Sequence, residues 1–193
     1  MRLILATTNK GKVREIGSIF AETSIEFIGL DSLGEIPEIV EDGMTFRDNA
    51  LIKAKTIYEL SGENALAEDS GLCVDYLNGA PGVFSARFAG TKSDSDNIDK
   101  LLTLMNGVPE DRRTAQFKSV FCLIIDGNEY FFDGWIKGQI IYERRGSGGF
   151  GYDPVFVPDG YLETFAEIGD DIKNSISHRA MAIGKLKEFL YSK

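Results

Sequence analysis

Two adjacent acids, Glu68 and Asp69, follow a short apolar run in Ala67–Gly90, which reads AEDSGLCVDYLNGAPGVFSARFAG. A third acid, Glu41, precedes a helix-forming segment. Mg²⁺ that also binds substrate phosphates takes a few carboxylate oxygens and completes its shell with water. Neighbours on a strand face opposite sides, but a turn directly after the strand would bring both acids toward one point. The alternative is a surface acid pair, which is common in an acidic protein.

A second segment that suits anions is Ala6–Lys12, ATTNKGK, which lies between a predicted strand and a predicted helix. Free backbone N–H groups and the helix dipole favour negative charge at such a place. The spacing is not that of a P-loop. Taken alone, this segment is better explained as a strand-to-helix turn in which Thr8 or Asn9 caps the helix.

The segment Ser177–Met181, SHRAM, contains the only histidine, His178, next to Arg179. Both fall in the first turn of the last predicted helix, where cations oppose the macrodipole. Either an anion lies at that helix end, with Lys173 just upstream, or the histidine and the arginine are simply solvated. The sequence leaves these two interpretations at even odds.

The glycine-rich segment Gly146–Gly151, GSGGFG, matches G-x-G-x-x-G. A dinucleotide fingerprint must open a helix, whereas YDPVFVP follows here and is poor helix material. A Rossmann site is therefore not predicted. Flexible backbone beside Phe150 and Asp153 could instead hold a planar ring against the chain. The alternative is a wide turn with Phe150 in the core.

The elements around these segments indicate a mixed α/β fold in one domain, 1–193. A helix begins at Thr45, where Asp48 completes a weaker capping box, and another ends near Gly107. Apolar residues at helical spacing predict the first and last helices, and DGN between two β-rich runs predicts a hairpin. The predicted strands are 2–6, 25–30, one that ends at 66–67, 116–125 and 129–141, and the predicted helices follow 12, 45, 97 and 177.

Composition limits the class of partner. With 43% hydrophobic residues and 26% charged residues, the chain can form a core, and its apolar runs are too short to span a membrane. The net charge of −9 argues against a nucleic-acid polymer but not against a small phosphate ligand. No signal peptide is recognised, and Cys73 and Cys122 are expected to be buried thiols in a reducing cytoplasm. Together with the segments above, this favours a nucleoside triphosphate site with a divalent metal.

Five segments resemble the signature blocks of the noncanonical purine NTP pyrophosphatases of the Ham1/RdgB type, the inosine triphosphatase family. They are ATTNKGKVREI, TFRDNALIKAK, Ala67–Gly90, GGFGYDPVF and SHRAMAIGKL, and they run from the first predicted strand to the last predicted helix. The resemblance implies a central elongated sheet flanked by helices, with two lobes around a substrate cleft, and a homodimer. It also implies Mg²⁺-dependent hydrolysis of ITP, dITP and XTP to monophosphate and pyrophosphate, with Mn²⁺ as a substitute, which keeps these nucleotides out of DNA and RNA.

The resemblance assigns roles to individual positions. Asp69 matches the general base, and the metal acids match Glu41, Glu68 and Asp69. The substrate contacts match Thr7, Thr8, Asn9, Lys10, Gly11, Lys12, Lys53, Ser70, Phe150, Gly151, Tyr152, Asp153, Lys173, His178 and Arg179. Arg87 either faces phosphate or only packs.

Two other functions remain open at this stage. A nucleotide sensor would use the same residues to bind without turnover, and a metal-dependent phosphatase or esterase would act on a different substrate. A product assay on a panel of nucleoside triphosphates and phosphomonoesters separates all three.

Overall fold

A computed structural model describes residues 2–20 and 25–192. In these residues the chain forms a mixed six-stranded sheet, in the order β2-β1-β3-β4-β5-β6, with helices. The α/β class predicted from the sequence is confirmed. The strands are β1 Arg2–Leu5, β2 Glu26–Ile28, β3 Ala65–Val74, β4 Thr114–Ile125, β5 Asn128–Ile140 and β6 Phe156–Pro158. The helices are α1 Lys10–Ile19, α2 Phe46–Ser61, α3 Asp94–Leu104, α4 Asp170–Ile176 and α5 His178–Tyr191.

The pairing of the strands mixes both directions. Strand β1 pairs in parallel with β2, where Leu3 lies opposite Phe27, and in parallel with β3, where Ile4 lies opposite Ala65. Strand β6 pairs antiparallel with β5. The predicted hairpin is present, because Asp126 and Gly127 join β4 to β5 and both have positive φ, as a tight two-residue turn requires.

Contacts divide the chain into two compact units. Unit 1 comprises Met1–Asp69, Ser119–Gly134 and Arg179–Lys193, and unit 2 comprises Ser70–Lys118 and Trp135–His178. The strands β3, β4 and β5 contribute residues to both. Each unit has its own core.

Unit 1 buries its sheet on both faces, as the near-continuous apolar run of β1 requires. One face carries Leu3, Leu5 and Leu66, which pack in a cluster with residues of α1 and α5. The other face carries Ile4, Ala65 and Ala67, which pack with Ala50, Ala54 and Ile57 of α2. Strand residues thus alternate between a face covered by α1 and α5 and a face covered by α2.

Unit 2 has a core rich in aromatic side chains. Phe117 contacts Phe156 at 4.8 Å between ring centroids and Phe165 at 5.9 Å. Arg113 is buried beside this core and donates to the carbonyl oxygens of Ile140, Met105 and Ile141 at 2.6, 2.7 and 3.0 Å. These bonds tie the end of α3 to the end of β5.

Two sequence predictions about elements need correction. The strand expected to end at Leu66–Ala67 continues to Val74, so no turn follows Asp69. The short helix α4 was not predicted, and Ser177 lies at its C-terminal end, directly before α5. In contrast, Thr45 and Asp48 form the predicted capping box of α2. The glycine-rich loop leads into a short 3-10 helix, Asp153–Val155, and then into β6, and it opens no α-helix, as predicted.

Candidate active site

The acidic pair is divided between the two faces of the sheet in unit 1. Because β3 runs straight through Glu68 and Asp69, strand alternation places Glu68 with Leu66 and Asp69 with Ala67. Glu68 therefore faces α1 and α5, whereas Asp69 faces α2. The expectation that a turn brings the two carboxylates together is wrong, because the strand does not turn there.

Glu68 is held by two cations and a hydroxyl. Its Oε2 lies 2.8 Å from Lys12 Nζ of α1, and its Oε1 lies 3.1 Å from Arg179 Nε of α5. Ser119 of β4 donates its hydroxyl to Oε1 at 2.9 Å. Arg179 also donates to Glu15 of α1 at 2.6 Å. A fully buried carboxylate is thus paired and hydrogen-bonded, as burial of a charge requires.

The start of α5 was open to two interpretations, an anion at the helix end or a solvated pair. Solvation is wrong, because His178 and Arg179 are both buried. The anions beside Arg179 are carboxylates of the protein itself, those of Glu15 and Glu68. In unit 2, the ring of His178 stacks on Phe117, with centroids 4.9 Å apart and planes 11° from parallel.

Asp69 is held from one face of α2. Lys53 donates to its Oδ1 at 3.2 Å, and Asn49 donates to its Oδ2 at 3.2 Å. Lys53 also donates to Oε2 of Glu41 at 2.6 Å. One ammonium group therefore joins Glu41, from the segment before α2, to Asp69 on β3.

The pKa values of Asp69 and Lys53 are both raised, but for different reasons. Burial raises the pKa of the Asp69 carboxyl. Lys53 and Lys12 offset part of that effect, and repulsion from Glu41 and Glu68 adds to it. Burial alone would lower the pKa of Lys53, but Asp69 and Glu41 more than offset it, so that the pKa is raised. A single ammonium gains from every acid around it, whereas Asp69 is opposed by the other acids.

The N-terminal segment forms the predicted turn. Asn9 caps α1 by accepting from the backbone N–H of Lys12 at 3.1 Å, and Thr7 Oγ1 accepts from the N–H of Asn9 at 3.2 Å. Thr8 and Lys10 are exposed, and Gly11 lies in the first turn. The cap interpretation is confirmed for Asn9. The same turn places the Lys12 side chain beside Glu68.

The residues predicted to bind the base form a braced loop in unit 2. Asp153 Oδ2 accepts from the N–H of Phe150 at 2.8 Å and from Lys173 Nζ at 2.6 Å. The Lys173 ammonium also lies 5.0 Å from the centroid of the Phe150 ring. A Cβ at Gly149 would lie 2.1 Å from Asp153 Oδ2, so the loop closes only around glycine. Phe150 is half-buried, so it is not enclosed in a core as the wide-turn alternative expected.

Two other residues of this loop that were predicted to contact the substrate form hydrogen bonds within the protein. Tyr152 is buried in the core of unit 2 and donates its hydroxyl to the Ser85 carbonyl at 2.9 Å. Gly151 donates its N–H to Asp94 at 2.8 Å. Ser70 follows Asp69 on β3 and is half-buried.

Comparison with known proteins identifies the family. The sequence model of the Ham1 family matches residues 3–189. The chain belongs to the Ham1 family. A relative from Desulforamulus reducens, called dITP/XTP pyrophosphatase, is 49% identical over 98% of this chain and 96% of its own length. One from Porphyromonas gingivalis, with the same name, is 47% identical over 98% and 97%. The family predicted from the five segments is confirmed.

Solved structures of the Ham1 family agree in fold over the whole chain. A Ham1 protein from Coxiella burnetii has a TM-score of 0.91 at 36% identity and covers 100% of both chains. The Ham1 protein of Staphylococcus aureus has a TM-score of 0.89 at 36% identity and covers 100% of this chain and 99% of its own.

The acids fit Mg²⁺ in part. Within residues 2–20 and 25–192, no group of three His, Cys, Asp or Glu side chains is close enough to hold a metal ion. Glu41 and Asp69, however, converge on one ammonium from the same face of the sheet. Two carboxylates together with substrate phosphates are a donor set that suits Mg²⁺. Glu68 lies on the other face and is paired with Lys12 and Arg179.

Three residues of this Ham1 site were not found from the sequence. Asn49 could have been found from the sequence, because it lies four residues before Lys53 and therefore on the same face of the helix. Ser119 has the same strand parity as the buried Phe121, but the partner that it faces depends on the pairing of β4 with β3. Glu15 had no signal, because its partner Arg179 lies 164 residues away.

Proposed function

We propose that this chain hydrolyses the noncanonical purine nucleoside triphosphates ITP, dITP and XTP to the monophosphate and pyrophosphate, with Mg²⁺ as cofactor and Mn²⁺ as a substitute. Membership of the Ham1 family and the printed names of its relatives support the reaction class. The observation that carries the proposal is the cluster in which the buried Lys53 joins the buried Asp69 to the half-buried Glu41.

Asp69 is the proposed general base. Attack on the α-phosphorus requires a water that is held in line and loses its proton as the bond forms. A carboxylate whose pKa is raised by burial is a stronger base than an exposed one, and Asp69 is such a group. Lys53 and Asn49 each donate to one of its two oxygens, and each oxygen keeps a lone pair that could accept from a water.

The lysines are the proposed phosphate contacts of unit 1. Lys12 and Lys53 pair with carboxylates, and because an ammonium has three donors, each could also donate to a phosphate oxygen while it keeps its carboxylate partner. Thr7 to Lys12 add backbone donors and short polar side chains at the start of α1. We propose Glu41 and Asp69 as the direct Mg²⁺ ligands. Glu68 would contribute to the metal site indirectly, because it holds the Lys12 ammonium in place. When bound, Mg²⁺ would neutralise charge on the triphosphate.

Unit 2 carries the proposed contacts to the base. Phe150 offers a ring for stacking, and Lys173 and His178 offer donors for the O6 carbonyl of hypoxanthine or xanthine. Arg179, which follows His178 in the chain but belongs to unit 1, is a further proposed contact to the substrate. Adenine has an amino group at that position, so donor would face donor, and an unpaired buried polar group costs about 1–3 kcal/mol. Gly151 and Tyr152 would contribute backbone, Asp153 orients Lys173, and Ser70 would contact the substrate beside Asp69.

The cellular setting is also a proposal. No helix in the described part of the chain is long and apolar enough to cross a membrane. Cys73 and Cys122 are free thiols, which suits the reducing cytoplasm. We propose a cytoplasmic homodimer that removes these triphosphates before polymerases incorporate them. The net charge of −9 gives no support to a nucleic-acid polymer as partner.

The test is a product assay with dITP, XTP, GTP, ATP and a phosphomonoester in the presence of Mg²⁺. We expect dIMP and pyrophosphate from dITP in equal amounts. A nucleoside diphosphate with inorganic phosphate as first products would refute the reaction, and binding without turnover would favour a sensor. Asp69→Asn should lower kcat by about 10²–10⁴-fold while dITP still binds. The control is Asp133→Asn, an exposed acid of unit 1, which should leave kcat unchanged.

A further inference from the structure

Asn49 is a buried amide on the first turns of α2, with 1% of its surface exposed. Its Nδ2 donates to Asp69 Oδ2 at 3.2 Å, and its Oδ1 accepts from the backbone N–H of Gly43 at 2.8 Å. A buried amide is costly unless its donors and acceptors are paired. Here the donor end is directed at the proposed general base.

The orientation of this amide is determined by its neighbours. The Gly43 N–H can only donate, so the oxygen of Asn49 must face it and the nitrogen must face Asp69. Gly43 approaches so closely that a Cβ there would lie 2.6 Å from Asn49 Oδ1. The segment with Glu41 is thereby anchored to the same side chain that contacts Asp69.

Asn49 and Lys53 act on Asp69 from one helix face. They are four residues apart on α2, so their side chains are neighbours. Lys53 binds Oδ1 and Asn49 binds Oδ2. A carboxylate with a single donor can turn about its Cβ–Cγ bond, whereas one donor on each oxygen fixes the plane of the group.

We propose that Asn49 is a positioning residue for Asp69, which sets the plane of the carboxylate that takes the proton from the attacking water. The inference rests on the proposed function. An amide suits this task, because its donor end and its acceptor end differ, so the Gly43 N–H on one end fixes which group faces Asp69 on the other. Lys53 alone would bind the carboxylate but leave its orientation loose.

Asn49→Asp separates the two ends of the amide. The carboxylate placed at position 49 still accepts from the Gly43 N–H, but it can no longer donate to Asp69 when ionised. With dITP and Mg²⁺, we expect kcat to fall by about 10- to 100-fold with KM within about threefold, because a misplaced catalytic group loses rate rather than binding. A kcat within threefold of the wild type would overturn the proposal.

The exchanged pair, Asn49→Asp with Asp69→Asn, gives a readout that does not depend on activity. The amide at position 69 can accept from Lys53 and donate to position 49, whose other oxygen accepts from Gly43, so every contact and the total charge are kept. We expect Asn49→Asp alone to lower the Tm by roughly 5–10 °C. The exchanged pair should regain at least half of that loss and stay inactive, because the base has moved.

The matched control is Asn97, a buried amide on α3 of unit 2. It accepts from the N–H of Ala89 at 2.7 Å and donates to the carbonyl of Ala86 at 3.2 Å. Asn97→Asp should lower the Tm without recovery by Asp69→Asn, and kcat per folded molecule should stay within threefold of the wild type. An exchanged pair no more stable than Asn49→Asp overturns the pairing. If the wild type releases no pyrophosphate, the proposed function and the catalytic role of Asn49 are both refuted. The Tm comparison then still decides whether Asn49 and Asp69 are hydrogen-bonded partners.

Discussion

Lys53→Met removes the cation shared by Glu41 and Asp69 and keeps most of the apolar stem of the side chain. Breaking a buried ion pair from one side costs about 3–5 kcal/mol, because the other charge stays buried without compensation. The Lys53 and Asp69 side chains are each 9% exposed, so this range applies to their contact. Glu41 is 34% exposed and can turn to water, so its contact adds little.

The lower end of that range is the better expectation. Lys12 still acts on Asp69, and Asn49 still donates to it. We therefore expect Lys53→Met to lower the free energy of unfolding by about 3 kcal/mol at pH 7. The measurement is equilibrium unfolding in urea, with unchanged slope as evidence that the folded state is intact. The exposed Lys185→Met, which loses a contact of 3.4 Å to Asp133, is the control and should stay within about 0.5 kcal/mol.

The stability lost in Lys53→Met should depend on pH, in a direction that follows from the raised pKa values of Lys53 and Asp69. Because the pKa of Lys53 is raised in the folded state, the stability that its ion pairs contribute is fully present below pH 10.5, the ordinary lysine pKa. That stability is lost as the pH rises through the pKa of the folded state. On the acid side, protonation of Asp69, whose pKa is raised above 3.8, removes the charge that the variant leaves uncompensated. The difference between wild type and variant should thus be largest near neutral pH and shrink at both ends. A loss below about 1 kcal/mol, or one independent of pH, would refute the shared-cation interpretation.

Two further predictions concern unit 2. Lys173→Met leaves Asp153 buried without its ammonium, so it should lower the free energy of unfolding by about 3–5 kcal/mol, whereas the exposed Lys100→Met should not. Equal losses in a urea titration would contradict this. Gly71→Ala would place a Cβ 2.3 Å from Ser85 Oγ and 2.5 Å from the Gly82 carbonyl oxygen, and should lower the Tm by overpacking worth about 1–3 kcal/mol. The control is Gly17→Ala on α1, where a Cβ meets nothing within 4 Å, and this change should raise the Tm slightly. A Gly71→Ala variant as stable as the wild type would contradict the expected clash with Ser85 and Gly82.

Local signals predicted much of the fold. The capping box at Thr45, the cap at Asn9 and the tight turn at Asp126–Gly127 are set by residues close together in the chain. The predicted end of β3 was wrong, because Ser70 and Gly71 are residue types that are typical of turns. Pairing within the sheet overrides that local preference and extends the strand to Val74.

The site was predicted as a set of residues but not as an arrangement. The family resemblance assigned these acids and lysines to one site, but which lysine meets which acid depends on strand parity and on the helix that covers each face. Arg179 shows the limit most clearly, because its partners Glu15 and Glu68 are both remote in sequence. The sequence left open whether an anion or solvent meets the start of α5, and only the fold shows that the Arg179 side chain contacts two carboxylates of the protein.

The division of Glu68 and Asp69 between two faces has a consequence for how the chain finds its fold. A slip of β3 by one residue would turn each side chain to the opposite face. Asp69 would then lie toward α1 and α5, one methylene too short for their cations, and Glu68 would enter the space between α2 and the sheet. Leu66 and Ala67 would exchange faces as well, so the large side chain would meet the close-packed alanines of α2. The same two carboxylates that are proposed for chemistry therefore penalise a one-residue slip of the strand that carries them.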